Sequence, residues 1–279
     1  MNLTLGYSTC PNDTFIFDAM VHQKVDTEGL EFEIFLGDIE ELNRKAFSKE
    51  LDITKLSYHA YAYLSNDYII LDSGSALGKK NGPLLLSKSK IYPDEVNDLK
   101  IAIPGKYTTA NLLLGIAYPK VKNKVEYLFS DIEDVVLSGE ADAGLVIHEN
   151  RFTYTDKGLS KILDLGEYWK DLTSQPIPLG GIMVLRHLDL DLKQKINQVL
   201  KRSIQFAFEN PENVMPYIKK HAQEMKEEVM MKHIRLYVND FTRELGESGK
   251  DAIIKLYEIA GNKKLIPPLH SDLFISDIC

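Results

Sequence analysis

The sequence has 279 residues, of which 44% are apolar and 27% charged, the make-up of an ordinary globular chain with core enough for roughly two domains. That composition sets aside collagen, long coiled coil and wholesale disorder. A net charge of −8 argues against a general nucleic-acid binder, because neutralising phosphates takes clustered Lys and Arg.

The chain opens MNLTLGYSTCPNDT, without a basic and apolar leader, and no apolar run approaches the ~18 residues of a membrane span. A cytoplasmic protein with no membrane partner is expected. Cys10 and Cys279 stand at opposite ends, outside any CxxC or Cys/His spacing. They predict neither a disulfide framework nor a zinc site, and they suit a reducing compartment.

Leu3 and Leu5 alternate with polar neighbours, which predicts a strand over 2–7. Asn12 or Asp13 is expected to cap a helix over 13–22, with Pro11 restraining its start. An alternating strand follows at 30–36, a helix around 38–48 and a short strand over Leu51–Leu56. Beyond Pro93 the alternation restarts, with strands at 100–104, 125–129 and 144–148 and helices at about 108–118 and 131–138. Such alternation predicts parallel sheets wrapped by helices. From about Asp191 the chain reads as helical, with breakers at Pro211 and Pro216. Over 229–245, Met230, Ile234, Tyr237, Phe241 and Leu245 recur at helical spacing as one core-facing stripe.

An internal echo links the halves. AFSKELDITKLSYH (46–59) aligns without gaps to VLSGEADAGLVIHE (136–149), with three identities in fourteen positions. Each half then presents the carboxyl end of a strand, followed by Ser57-Tyr58-His59 in one and His148-Glu149-Asn150 in the other. Ligands of open α/β sheets bind at such strand ends, and two sheets facing one another make a cleft. The chain is expected to leave a first lobe near Leu86–Ile91 and return near Gly180–Val184. The large lobe is then 1–88 plus 183–279, and the small lobe 89–182. Two crossings make a hinge that permits closure on a ligand.

His148 ends an apolar strand, and histidine titrates near neutrality and is the commonest general base. The alternative is a structural histidine at a strand end. Pro104–Asn111 joins a strand to a helix that Thr108 or Thr109 caps, leaving first-turn N–H groups aimed at open space. Those groups suit a carboxylate or phosphate, though every capped helix shares the pattern. Lys55-Leu56-Ser57 ends the partner strand, and Ser57 either donates to a ligand or caps the next helix. His59 is a second-choice base, Cys10 a packed or ligand-lining residue, and neither has a settled role. GxGxxG, Walker A, GxSxG and HExxH are all missing.

The run Ser8-Thr9-Cys10-Pro11-Asn12-Asp13-Thr14-Phe15 closely resembles the opening S-x-C-P-N-D-T-F of the 1,4-dihydroxy-6-naphthoate synthase family, on the futalosine route to menaquinone. The match continues through Lys55-Leu56-Ser57, Gly105–Ala110 and Gly144–Glu149, in order and across both lobes. The resemblance implies an α/β, two-lobed fold of the type II periplasmic-binding-protein kind, with a hinge and the C-terminal helices packed on the first lobe. It also implies a carbon–carbon lyase acting on cyclic dehypoxanthinylfutalosine, a small anionic substrate. By matching positions, His148 accepts the proton, and Lys55, Leu56, Ser57, Thr109 and Ala110 bind substrate. Ring aromatisation supplies the driving force, so no metal or other cofactor is expected. A homodimer is left open. The competing readings are chorismate dehydratase of the same pathway and a non-enzymatic small-molecule-binding protein.

Overall fold

The computed structural model describes residues 1–79, 81–147, 151, 153–222 and 226–278. The first elements are β1 (Asn2–Tyr7), α1 (Pro11–Val21), β2 (Glu31–Leu36), α2 (Ile39–Phe47) and β3 (Ile53–Ser57). Next come α3 (Tyr58–Leu64), β4 (Tyr68–Ile70), β5 (Ala76–Gly78) and β6 (Leu84–Ser87). After them run β7 (Ile101–Ile103), α4 (Thr109–Ala117), β8 (Lys124–Glu126), α5 (Ile132–Ser138) and β9 (Ala143–Val146). β10 (Ser160–Asp164), α6 (Leu165–Thr173) and β11 (Ile177–Leu185) complete the sheets. The chain then continues through α7 (Leu190–Glu209), α8 (Pro211–His221), α9 (Glu227–Tyr237), α10 (Asp240–Arg243) and α11 (Gly246–Asn262).

Two sheets form, ordered β2-β1-β3-β11-β4, with β5 beside β11, and β10-β6-β9-β7-β8. Both carry the same motif. β1, β2 and β3 pair in parallel, as do β7, β8 and β9, and one antiparallel strand flanks each trio, β11 beside β3 and β6 beside β9. The echo has a structural basis, because its two segments run from the ends of α2 and α5 into β3 and β9.

The sheets are therefore mixed rather than purely parallel. Apolar runs such as Leu84-Leu85-Leu86 suit a strand buried on both faces, and side-chain pattern carries no strand direction. The lobe crossings also move. β6 belongs to the second sheet and all of β11 to the first, so the chain crosses between Gly78 and Leu84 and again between Thr173 and Ile177. The sequence placed these crossings at 88/89 and 182/183.

Gly180 and Gly181, read as the point of return, instead lie inside β11 because neighbours crowd them. A Cβ at Gly180 would stand 2.7 Å from the Leu56 carbonyl oxygen, and one at Gly181 would stand 2.8 Å from the Tyr58 hydroxyl. Gly180→Ala is expected to cost about 1–3 kcal/mol through overpacking, read by urea unfolding. Gly261→Ala, with nothing within 4 Å of the added carbon, serves as the near-neutral control.

The terminal helices pack on the first lobe. α7, α8 and α9 lie against α1, and Ile196, Val199, Leu200, Ile204, Met230 and Ile234 join Leu3, Leu5, Phe15 and Ile16 in one cluster. Pro211 starts α8 and Pro216 sits within it. The expected single stripe over 229–245 breaks after Tyr237, where Asn239 caps α10 by accepting from Phe241 N. Among the described residues, no helix is long and apolar enough to cross a membrane.

Candidate active site

One cavity is lined by both lobes at the carboxyl ends of their parallel strands. Ser8, Asn12 and Asp13 follow β1, Lys55 and Ser57 end β3, Thr108, Thr109 and Ala110 begin α4, and Ile147 follows β9. Leu179 and Gly180 of β11, His233 and Tyr237 of α9, and Ile39, Ala76 and Pro83 complete the wall. Its volume is about 100 Å³.

The first lobe supplies a buried ion pair. Lys55 Nζ stands 3.2 Å from Asp13 Oδ1, with both side chains nearly enclosed. Asp13 also accepts from Ser8 N at 3.2 Å, Ser8 Oγ at 2.6 Å and Asn12 Nδ2 at 2.7 Å. Asn12 and Asp13 were read as caps, but α1 starts at Pro11 with Cys10 in the cap position, which turns both polar side chains toward the cavity. Asn12 Oδ1 lies 2.9 Å from His233 Nε2. With the Asn12 amide nitrogen donating to Asp13, this oxygen is the acceptor and the imidazole donates. His233 escaped the sequence reading because it sits inside an apolar helical stripe.

Strand alternation decides the Lys55–Ser57 run. Lys55 and Ser57 reach the cavity, whereas Leu56 is fully buried in the hydrophobic core. Its side chain lies outside the cavity lining. Ser57 occupies the cap position of α3 without a capping bond from its side chain. Its N–H donates to Asn43 Oδ1 at 3.0 Å, and its Oγ accepts from Asn43 Nδ2 at 3.2 Å. That clamp leaves the hydroxyl proton for an acceptor in the cavity.

Thr108 caps α4, accepting from Asn111 N at 3.3 Å. The Thr109 hydroxyl donates to Leu179 O at 2.5 Å and accepts from His59 N at 3.3 Å, so it joins the lobes. What α4 offers a ligand is the backbone N–H of Thr109 and of Ala110, which meet no acceptor among the described residues. An anion is the natural partner for such groups. His59 lies outside this lining and packs with Nδ1 3.1 Å from Thr108 O. Burial, with lesser effects from Lys124 and Lys106, lowers its pKa to about 4. His148 lies outside the described residues, as do Glu149 and Asn150.

Glu40 ties the lobes together nearby. Its carboxylate accepts from Tyr107 N at 3.1 Å and Asn43 Nδ2 at 3.3 Å, with Arg44 Nε at 3.6 Å. It crowds Gly105, whose φ of +145° and lack of a Cβ permit the approach. Burial raises its pKa to about 7, outweighing the bonds from Asn43 and Tyr107. A carboxyl whose pKa is higher folded than unfolded stabilises the fold below the unfolded value of 4.5, and that stability is lost as pH rises through about 7. Glu40→Gln is therefore expected to be more stable than the parent at pH 8, by about 1 kcal/mol once solvent screening of the carboxylate is allowed for. The gap should close below pH 4.5, as read by urea unfolding across pH.

Against known proteins, the profile of a family described as Menaquinone biosynthesis matches residues 3–262. The chain belongs to this family. It is 41% identical over 273 residues to the 1,4-dihydroxy-6-naphthoate synthase of Thermus thermophilus, covering 98% of this chain and 99% of that one. With the synthase of Streptomyces coelicolor it shares 39% over 275 residues, covering 97% and 96%. A crystal structure from Archaeoglobus fulgidus is 41% identical with a TM-score of 0.90, covering 95% of this chain and 98% of that one. The alkanesulfonate-binding protein of Xanthomonas axonopodis pv. citri, at 12% identity, superimposes with a TM-score of 0.74 over 99% and 96% of the chains. The fold is that of the periplasmic binding proteins, and the protein is an enzyme of menaquinone biosynthesis. The resemblance carried by Ser8–Phe15 is borne out, and the synthase name of both relatives agrees with the lyase class.

Proposed function

We propose that the protein cleaves cyclic dehypoxanthinylfutalosine to 1,4-dihydroxy-6-naphthoate and a three-carbon sugar fragment, in the cytoplasm, with His148 as general base. The observation that carries this reading is the pairing, in one cavity, of the open N–H groups of Thr109 and Ala110 with Ser57 and the Lys55 ammonium. These donors suit a carboxylate or developing oxyanion. Ile147, the residue before His148, lines the same cavity, which supports a base delivered from the end of β9.

In this mechanism His148 removes a proton from the sugar-derived portion, and the carbon–carbon bond breaks in a retro-aldol-like step as the ring becomes aromatic. The donors of Thr109, Ala110 and Ser57 hold the carboxylate or a ring oxygen. The cavity's volume of about 100 Å³ falls below the roughly 300–1,000 Å³ of sites that enclose ligands of this size. Substrate therefore enters when the lobes part, and the bonds from Glu40 to Tyr107 and from Thr109 to Leu179 open with them.

The test is incubation of purified protein with cyclic dehypoxanthinylfutalosine and, separately, with chorismate, followed by chromatography. The naphthoate is expected from the first only. Substrate returned unchanged would remove the proposed reaction, and turnover of chorismate would make the protein a dehydratase.

A further inference from the structure

A second cavity, of about 370 Å³, lies against the face of α4 that carries Asn111, Leu112 and Gly115. His59 separates it from the first, lining the second while bonded to Thr108, which lines the first. Nothing in the proposed reaction uses it.

Its chemistry is lopsided. Lys106, Lys122 and Lys124 bring three amines to the lining, and among the described residues no carboxylate forms an ion pair with any of them. Lys124 Nζ donates to Asn111 Oδ1 at 2.9 Å, and Lys106 Nζ stands 5.2 Å from the centroid of the Tyr107 ring. Glu126, the acid on this rim, is engaged by Arg44 Nη2 at 2.8 Å and Lys106 N at 3.1 Å. The remaining wall is apolar, part aliphatic from Ile103, Leu112 and Leu265 and part aromatic, with the Tyr63 and Tyr107 rings 5.6 Å apart, edge to face, and His59 5.7 Å from Tyr63.

We propose that this cavity is a binding site for a small planar aromatic carboxylate, its charge among Lys106, Lys122 and Lys124 and its ring against Tyr63 and Tyr107. Lys124 is partly buried and Lys106 and Lys122 are exposed beside it; three amines without a paired carboxylate attract an anion, and the ring surfaces suit a flat apolar body. Lysine meets a carboxylate as a point charge without demanding fork geometry. Glu126 on the rim opposes a multiply charged head and so favours one carboxylate over a phosphate. The volume suits one or two fused rings.

The probe is 2-naphthoate, titrated calorimetrically into the full chain alongside inorganic phosphate. Because binding is read without turnover, the result stands apart from the proposed reaction. The Lys122→Gln/Lys124→Gln double variant is expected to weaken one 2-naphthoate binding event by about tenfold or more, and Tyr107→Ala to weaken the same event. Phosphate should bind far more weakly. Unaltered 2-naphthoate binding in both variants overturns the assignment, as does phosphate binding as tight as 2-naphthoate. Should the double variant fail to fold, Lys106→Gln, at an exposed amine, gives the same reading.

Discussion

Asp13→Ala is expected to lower the unfolding free energy by about 3–5 kcal/mol, the cost of leaving a buried charge without its partner. Asp13 is the ion-pair partner of a Lys55 that the strand has already taken out of water. Its removal also deprives Ser8 N, Ser8 Oγ and Asn12 Nδ2 of their acceptor. The discriminating measurement is a double-mutant cycle by urea unfolding. Asp13→Leu with Lys55→Met removes both charges together, and a buried pair replaced by apolar groups is often neutral in stability. The double variant should therefore recover much of what Asp13→Ala loses, while losing substrate binding. A double variant no more stable than Asp13→Ala would mean that the hydrogen bonds, and not the pair, hold this corner.

His148→Asn is expected to reduce turnover by about 10²–10⁴, the contribution of a positioned general base. KM should change little, because the donors of Ser57, Thr109 and Ala110 remain. In the parent, turnover should fall on the acid side as an imidazole protonates, and the residual activity of the variant should lose that limb. Near-wild-type turnover in the variant would remove the assignment. The imidazole of His233, already in the cavity lining, would then be the base to test.

The architecture was legible because hydrophobic period switches cleanly between β1, α1, β2, α2 and β3 and again from β7 to β9, and these elements lie within a few residues of their expected places. Strand direction was not legible, since β6 and β11 are mostly apolar and buried, a pattern that reads the same in either direction. The return crossing, expected near Gly180–Val184, falls earlier because that stretch lies within β11. Only the neighbouring elements, with the Leu56 carbonyl of β3 and the Tyr58 hydroxyl of α3 pressed close, reveal why side chains are missing at Gly180 and Gly181. At the site, a strand end and a capped helix pointed to Ser57 and Thr109, and the family resemblance added Lys55 and Ala110; all four line the cavity. Asp13 and His233 stayed hidden. An aspartate at a helix start looks like a cap, and a histidine within an apolar stripe looks like packing, until tertiary structure joins them through Asn12.

The placement of β11 has a consequence for biosynthesis of the chain itself. Every segment from β6 to α6 leaves the ribosome before β11 does, so the smaller sheet can form while the larger one still lacks the strand that joins β3 to β4 and β5. Until Ile177–Leu185 arrives, β3 offers an open edge, a template for pairing with a neighbouring nascent chain. Slow translation just upstream of that strand would lengthen this vulnerable interval, and an early burst of β11 synthesis would shorten it.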